Sequence, residues 1–400
     1  MSKAWQMLIL LSLAELLAMT VWFSVSAVGP ALEAEVGLTS GQLALLVMAV
    51  QFGFVLGTLF IAFANLADVF NTRHVLSFSA CLAAIVNGSY LFFADAFTWS
   101  LGLRFLTGFF LAGVYPPGMK VIAGWFKRGR GMAIGTLVGA LTIGTGLPHW
   151  LGSILRQQWQ MTVLASSGLA LLAAVIVLFF VKDGPYDVPA RRFNFKYGFT
   201  VLKDRPVRLA YLGYFGHMWE LYAMWTWVPV FLLSVVGASG QPAGISSGFA
   251  AFIIIAAGAV GCVVSGVWAD RVGRSRSTIT AMVASGLCCF FVGFLDTLDP
   301  VWLLAICVVW GITVVADSAQ FSAAVTELCE PEYTGTVLTL QTSIGFLITM
   351  VSIRIVPVVR EMVGWGGAFF VLGLGPVAGI IAMALLYRTP EAVKMAGGNR

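Results

Sequence analysis

The sequence predicts an all-α integral membrane protein whose twelve transmembrane helices fall into two sets of six. Three observations carry that prediction: a composition too apolar for water, long apolar runs with short polar gaps, and one longer basic stretch mid-chain. Of the 400 residues, 59% are hydrophobic and only 10% are charged, against roughly 25% charged in a soluble domain. The mean hydropathy is +0.93. A chain this poor in charge cannot cover its own surface in water. Its 44 glycines and 13 tryptophans suit closely packed helices and aromatic belts at bilayer interfaces.

A membrane helix needs roughly 20 mostly apolar residues. Runs of that kind lie over about 5–30, 41–66, 74–94, 97–121, 131–154, 160–181, 208–234, 245–268, 277–297, 301–325, 335–358 and 366–388. Short connections make successive runs antiparallel. The exception is 182–207, whose Arg191, Arg192, Lys196, Lys203 and Arg205 form a basic linker. It separates a first bundle, 1–181, from a second, 208–388, and leaves 389–400 as a tail.

Lysine and arginine asymmetry sets the orientation. With the N-terminus inside, the inner segments hold Lys3, Arg73, Lys127, Arg128, Arg130, the linker, Arg271, Arg274, Arg276, Arg388, Lys394 and Arg400. The outer loops hold only Arg156 and Arg360, with the acids Glu33, Glu35, Asp95, Asp296 and Asp299. Both termini therefore read as cytoplasmic. The net charge of +5 belongs to this asymmetry, and no nucleic-acid partner is expected. The first run is too long for the apolar part of a signal peptide. An uncleaved first helix and short loops point to a multi-pass protein of a bacterial inner (plasma) membrane.

Little speaks for an enzyme. His74, His149 and His217 are scattered, and no Gly-x-x-x-x-Gly-Lys loop for a nucleotide is present. The six cysteines lie in or beside apolar runs without metal-site or disulfide spacing, as small buried hydrophobes do. No metal or other cofactor is expected. The short tail argues against a receptor with an appended soluble domain.

Two inner loops repeat. Gly266-Val-Trp-Ala-Asp270-Arg271-Val-Gly273-Arg274 follows the eighth run, and Ala64-Asn-Leu-Ala-Asp68-Val-Phe-Asn71-Thr-Arg73 follows the second. Gly273 or Asn71 can take the turn that reverses the chain. The aspartate can accept from the next helix's first amides. This Gly-x-x-x-Asp-Arg-x-Gly-Arg pattern, intact at 266–274 and degraded at 64–73, resembles the loop signature of the major facilitator superfamily. Arg104-x-x-x-Gly108 and the run Gly139, Gly144, Gly146, Pro148, Gly152 are similar to further elements of that family, the second of them associated with antiporters. The resemblance implies two pseudo-symmetric six-helix bundles facing a central cavity, and alternating access by rocking. It also implies a monomer, and gives Asp68, Arg73, Gly266, Asp270, Arg271, Gly273 and Arg274 a gating role rather than a substrate-binding one.

Ionisable residues at membrane depth are costly and so are functional candidates. Glu15 lies near the middle of the first run, and His217 and Glu220 near the middle of the seventh. Asp317 lies past the middle of the tenth, and His149 near the outer end of the fifth. Asp68 and Asp270 are 202 residues apart, and the same offset carries Glu15 onto His217. Tyr214, His217, Glu220, Met224 and Trp227 share one helical face, as a cavity wall would. Burial lets a carboxyl be neutral in one conformation and ionised in another, which makes Glu15, Glu220 or Asp317 a proton carrier, with His217 able to share the proton. The alternative is a structural hydrogen-bonded network.

Arg104, by family resemblance, joins proton coupling and helix packing. Arg354 meets either a substrate anion or the outer headgroups. Gln320 and Gln341 add candidate substrate contacts, with Tyr115, Tyr214 and Trp227. Tyr115-Pro116-Pro117-Gly118 marks a kink, since two prolines remove amide donors.

These residues support a proton-coupled secondary transporter of a small polar metabolite or organic anion. Proton-antiport efflux of hydrophobic or cationic compounds is the alternative. The second and eighth runs lack the arginines that nitrate transporters of the resembled family would show.

Overall fold

The protein is described by a computed structural model covering residues 2–126, 130–155, 158–186, 193–239 and 246–400. Lys127, Arg128, Arg156, Arg191 and Arg192, and the side chains of Asp68, Arg130 and Lys196, lie outside the described residues. The described chain is all-α, with no strand among those residues. It forms two compact units, Met1–Pro189 with Gly244–Ala256, and Ala190–Ala243 with Ala257–Arg400.

The first unit contains α1 (Lys3–Met19), α2 (Gly29–Glu35), α3 (Ser40–Phe63), the single turn α4 (Leu66–Val69) and α5 (Thr72–Ser89). It continues with α6 (Phe97–Leu111), α7 (Tyr115–Ala123), α8 (Arg130–Ile154) and α9 (Trp159–Phe180). The second unit contains α10 (Phe195–Val201), α11 (Arg205–Ser239), α13 (Arg274–Val292), α14 (Pro300–Val314), α15 (Ser318–Leu328) and α16 (Thr334–Tyr387). Between α11 and α13 in sequence, α12 (Ser247–Val272) has residues in both units.

Local chemistry marks the helix starts. Thr39 and Gln42 form a reciprocal capping box on α3. Asn71 caps α5 through Arg73 N, and Asp299 caps α14 through Val301 N with Pro300 in the first turn. In between, unbroken apolar sequence lets the backbone satisfy itself within each helix, as hydrocarbon demands.

Among the described residues, ten helical stretches are long and apolar enough to cross a bilayer. The differences from the twelve predicted runs have identifiable causes. Helix α1 stops at Met19, because Thr20 Oγ donates back to Leu17 O and also to Ser166 O, and hydroxyls that bond back to the helix loosen it. The last two runs join into the 54 residues of α16, interrupted at Gly364, where φ is +76° and only glycine is unstrained. The run over 97–121 is divided between α6 and α7, with Pro116 and Pro117 in the first turn of α7, where a missing amide costs nothing. The run over 301–325 is divided between α14 and α15.

Packing is closest between α3 and α6. A Cβ on Gly108 would stand 2.0 Å from Val50 O, and one on Gly53 would stand 1.9 Å from Phe105 O. Backbone meets backbone there, as small residues permit in membrane bundles. Gly108→Ala must push α3 and α6 apart, which costs about 1–3 kcal/mol and lowers the thermal unfolding midpoint in detergent. Gly102→Ala, on the same helix with nothing within 4 Å, leaves the midpoint unchanged. Equal midpoints for the two variants would contradict the packing described.

Candidate functional site

In the second unit, α11 supplies two neighbouring titratable side chains to the interior. The Glu220 carboxylate accepts from Trp310 Nε1 at 2.6 Å on α14, and from Ser285 Oγ at 2.9 Å and Cys289 Sγ at 3.2 Å on α13. Three donors from two helices hold it, so a buried polar group finds its partners within the bundle. His217 Nδ1 lies 2.8 Å from Asp317 Oδ1, both side chains being buried. The angle there is not that of a hydrogen bond, and His217 Nε2 and both Asp317 oxygens make none. A proton on the imidazole turns this contact into an ion pair. Asp317 occupies the break between α14 and α15, immediately before Ser318.

The first unit offers a counterpart. The offset of 202 residues that carries Glu15 onto His217 also carries Tyr115, the first residue of α7, onto Asp317. In each unit the first helix thus brings a titratable group to the start of a half-helix, where the backbone dipole is positive. Discontinuous helices at corresponding places in two repeats are a known mark of transporter sites. Glu15 is 0% exposed, and neither carboxyl oxygen makes a hydrogen bond. Its Oε2 lies 2.9 Å from the point a Cβ on Gly118 would occupy, with Leu76 and Leu137 methyls 3.6 and 3.7 Å from the same point. An ionised carboxylate without a donor in such surroundings costs several kcal/mol.

Arg104 is also fully buried; its two terminal nitrogens are engaged, while Nε has no partner. Nη1 donates to Val21 O at 3.1 Å and Asn87 Oδ1 at 2.8 Å, and Nη2 donates to Trp22 O. Asn87 is held by Ser24 Oγ at 2.8 Å and itself donates to Ser167 Oγ at 2.9 Å. The guanidinium therefore collects the carbonyls that α1 frees where it unwinds after Met19. Among the described residues no carboxylate comes within ion-pair distance of Arg104.

The predicted substrate contacts do not gather in one place. Tyr214 packs edge-on against Phe321, and Trp227 Nε1 donates to Ile353 O at 3.0 Å. With Met224, these residues are buried, so the α11 face is packed against neighbouring helices rather than open. Gln320 accepts from Arg274 Nη1 at 2.8 Å. Gln341 is buried with both amide atoms unpartnered. Tyr115 is half-buried, and Arg354 is exposed. His149 is buried with Nε2 unpartnered, and its ring lies 6.4 Å from that of Phe23.

The repeated loops are anchored within their own units. Arg274 reaches Asp270 Oδ1 at 2.9 Å and Glu327 Oε1 at 3.1 Å, while Arg271 is exposed and Gly266 is buried in α12. Gly273 has φ +100°. In the first unit Arg73 Nη1 donates to Val181 O at 2.9 Å, and its Nε lies 3.6 Å from Asp183 Oδ2. Asn71 Nδ2 donates to the same oxygen at 2.6 Å.

Sequence reading missed Ser285, Cys289 and Trp310, and the Asn87–Ser24 support of Arg104. All are neutral residues common in membrane helices; only the spacing of Ser285 and Cys289, one turn apart, carried any signal. Removing the indole donor with Trp310→Phe should cost about 1–3 kcal/mol of stability, the penalty for leaving a buried acceptor without its partner. In a double-mutant cycle with Glu220→Gln, the two losses should be strongly non-additive. Additive losses in thermal unfolding would show that the 2.6 Å contact carries no coupling.

Comparison with known proteins agrees with the geometry. The family model for the Major Facilitator Superfamily matches residues 11–353. A solved D-xylose-proton symporter superposes with a TM-score of 0.77 over 98% of this chain and 99% of that one, at 13% identity, a likeness of fold. A curated multi-drug resistance efflux pump, the PmrA homolog of Lactococcus lactis subsp. lactis (strain IL1403), is 32% identical over 114 residues. That match spans 28% of each chain. With the family model matching most of its length, this multi-pass helical chain belongs to the Major Facilitator Superfamily of transporters.

Proposed function

We propose that the protein is a proton-coupled secondary transporter of a small polar metabolite, working by alternating access in the inner membrane. The observation that carries the proposal is Glu15, a fully buried carboxyl with no donor to either oxygen. Such a group is tolerated when it holds a proton, and it can give that proton up only when its surroundings change. That requirement ties protonation to conformation, which is what coupling means. The His217–Asp317 contact, at the equivalent place in the second half, is the second proton-holding position. Glu220, satisfied by three donors, acts as a brace tying α11 to α13 and α14 rather than as a carrier.

The topology follows from the same helices. A straight helix of 54 residues would be about 80 Å long, more than twice the ~30 Å hydrocarbon core. Its break at Gly364 makes two spans of α16. Counting these and the continuation of α1 through a 3-10 turn at Ser26–Val28 and α2, the ten candidate stretches become twelve. They make two bundles of six joined by 182–207, with both termini cytoplasmic as the inner lysines and arginines require. In this arrangement Asp68, Arg73, Asp270, Arg271 and Arg274 sit at the inner face as gating elements.

The organic-anion version draws less support from Arg104, whose two terminal nitrogens are held by Val21 O, Trp22 O and Asn87 Oδ1. A second reading, proton-antiport efflux of a hydrophobic or cationic compound, draws on the curated multi-drug relative and on the buried acids Glu15 and Asp317. The solved relative is a D-xylose-proton symporter, so each direction has a named relative.

Glu15→Gln should abolish proton-driven accumulation in vesicles while leaving substrate counterflow intact. Unchanged accumulation would remove Glu15 as the proton site. Glu220→Gln should instead weaken both modes together with stability. Asp270→Asn should slow turnover several-fold with little change in substrate binding, and normal turnover would sink the gating role of that loop.

A further inference from the structure

The segment after α16 does not leave the protein. Pro390–Gly398 forms 3-10 turns that pack on α15, with Ala392 and Met395 completely buried. Ala396 N donates to Glu327 Oε2 at 2.9 Å, while the other oxygen of the same carboxylate accepts from Arg274 at 3.1 Å. Asn399 Nδ2 donates to Asp270 O at 3.3 Å, and Ser275 N donates to Arg400 O at 3.3 Å. A Cβ at Gly273 would lie 2.3 Å from both Asn399 O and Arg400 O. The loop glycine is therefore required twice over, by its positive φ and by the strand of backbone laid across it. Tyr387, at the end of α16, receives Arg276 Nη2 at 2.7 Å and lies under the Arg400 guanidinium at 5.8 Å.

The first unit is built alike. The segment after α9 holds the corresponding loop, through Val181 O and Asp183 on Arg73 and Asn71. In each half, the chain leaving the last helix returns to grip the loop between the second and third.

We propose that residues 390–400 are a strap that positions Arg274 and limits the movement of loop 270–276, so that loosening the strap speeds conformational exchange. Glu327 is the shared anchor: one oxygen holds the loop arginine and the other holds the strap backbone. Met395 is the plug that keeps the strap seated. The effect on rate rests on the transporter reading above; the docking of the strap does not.

The test uses full-length protein beside Met395→Asp, Met395→Leu and a chain ending at Arg388, all in lipid vesicles. Hydrogen–deuterium exchange is followed in the peptide over 268–278, with α3 as the folding control. Substrate counterflow is measured on the same preparations. The proposal expects exchange in the loop to rise roughly tenfold or more, the mark of lost local protection, in Met395→Asp and in the shortened chain. Counterflow should rise several-fold with it, and Met395→Leu should match the parent in both. Unchanged loop exchange in the shortened chain would overturn the strap. A loosened loop with unchanged counterflow would overturn its control of rate. If the parent shows no counterflow with any solute, the transporter reading falls, and the exchange comparison still decides whether the strap holds the loop.

Discussion

Inside a bilayer there is no water to satisfy a polar group, so each buried one must find a donor, an acceptor, a counter-charge or a proton within the protein. Much of this structure can be read as the answer to that demand. Arg104 is met by carbonyls that α1 releases as it unwinds, so the break in the first helix and the buried guanidinium account for each other. Glu220 is met by an indole, a hydroxyl and a thiol drawn from two helices. Among the groups left without a hydrogen-bond partner are both Glu15 oxygens, His217 Nε2, both Asp317 oxygens and the amides of Gln51 and Gln341.

The two halves repeat in architecture and diverge in chemistry. Both interrupt the fourth helix of their set, and both put a titratable side chain from the first helix beside that interruption. Yet the first half leaves a single carboxyl alone against leucine methyls and Gly118, while the second pairs an imidazole with an aspartate. A lone acid exchanges one proton with its surroundings as the environment changes.

Much of the fold was legible in hydropathy alone, because a span is a one-dimensional property of sequence. The end of α1 was not, since residues 20–25 are as apolar as their neighbours, and the groups that meet the Thr20 hydroxyl and the Val21 carbonyl there, Ser166 O and Arg104, both lie more than 80 positions away. The break at Gly364, by contrast, was legible, because Arg360 and Glu361 interrupt the apolar sequence just before it. For the candidate site, charged residues stood out against an apolar background, so Glu15, His217, Glu220 and Asp317 were all visible. Their partners were not. Ser285, Cys289 and Trp310 look like ordinary membrane-helix residues until the fold brings them together. The loop signature at 266–274 was plain, but its grip by 390–400 depends on Ala392, Met395, Ala396 and backbone atoms, which carry no motif. Gln320 illustrates the remaining gap, because a glutamine near a buried aspartate reads as a substrate contact until Arg274 is found on it.

The central claim is that protons move with substrate through this protein. Its most direct test is purified protein in proteoliposomes with a trapped pH-sensitive dye, challenged from outside with small neutral metabolites, carboxylates and lipophilic cations, one at a time. The account predicts acidification of the lumen on addition of one neutral or anionic solute, absent in protein-free vesicles. Alkalinisation as a lipophilic cation enters would hand the protein to the exchange reading. Solute entry with no change in luminal pH would contradict proton coupling altogether.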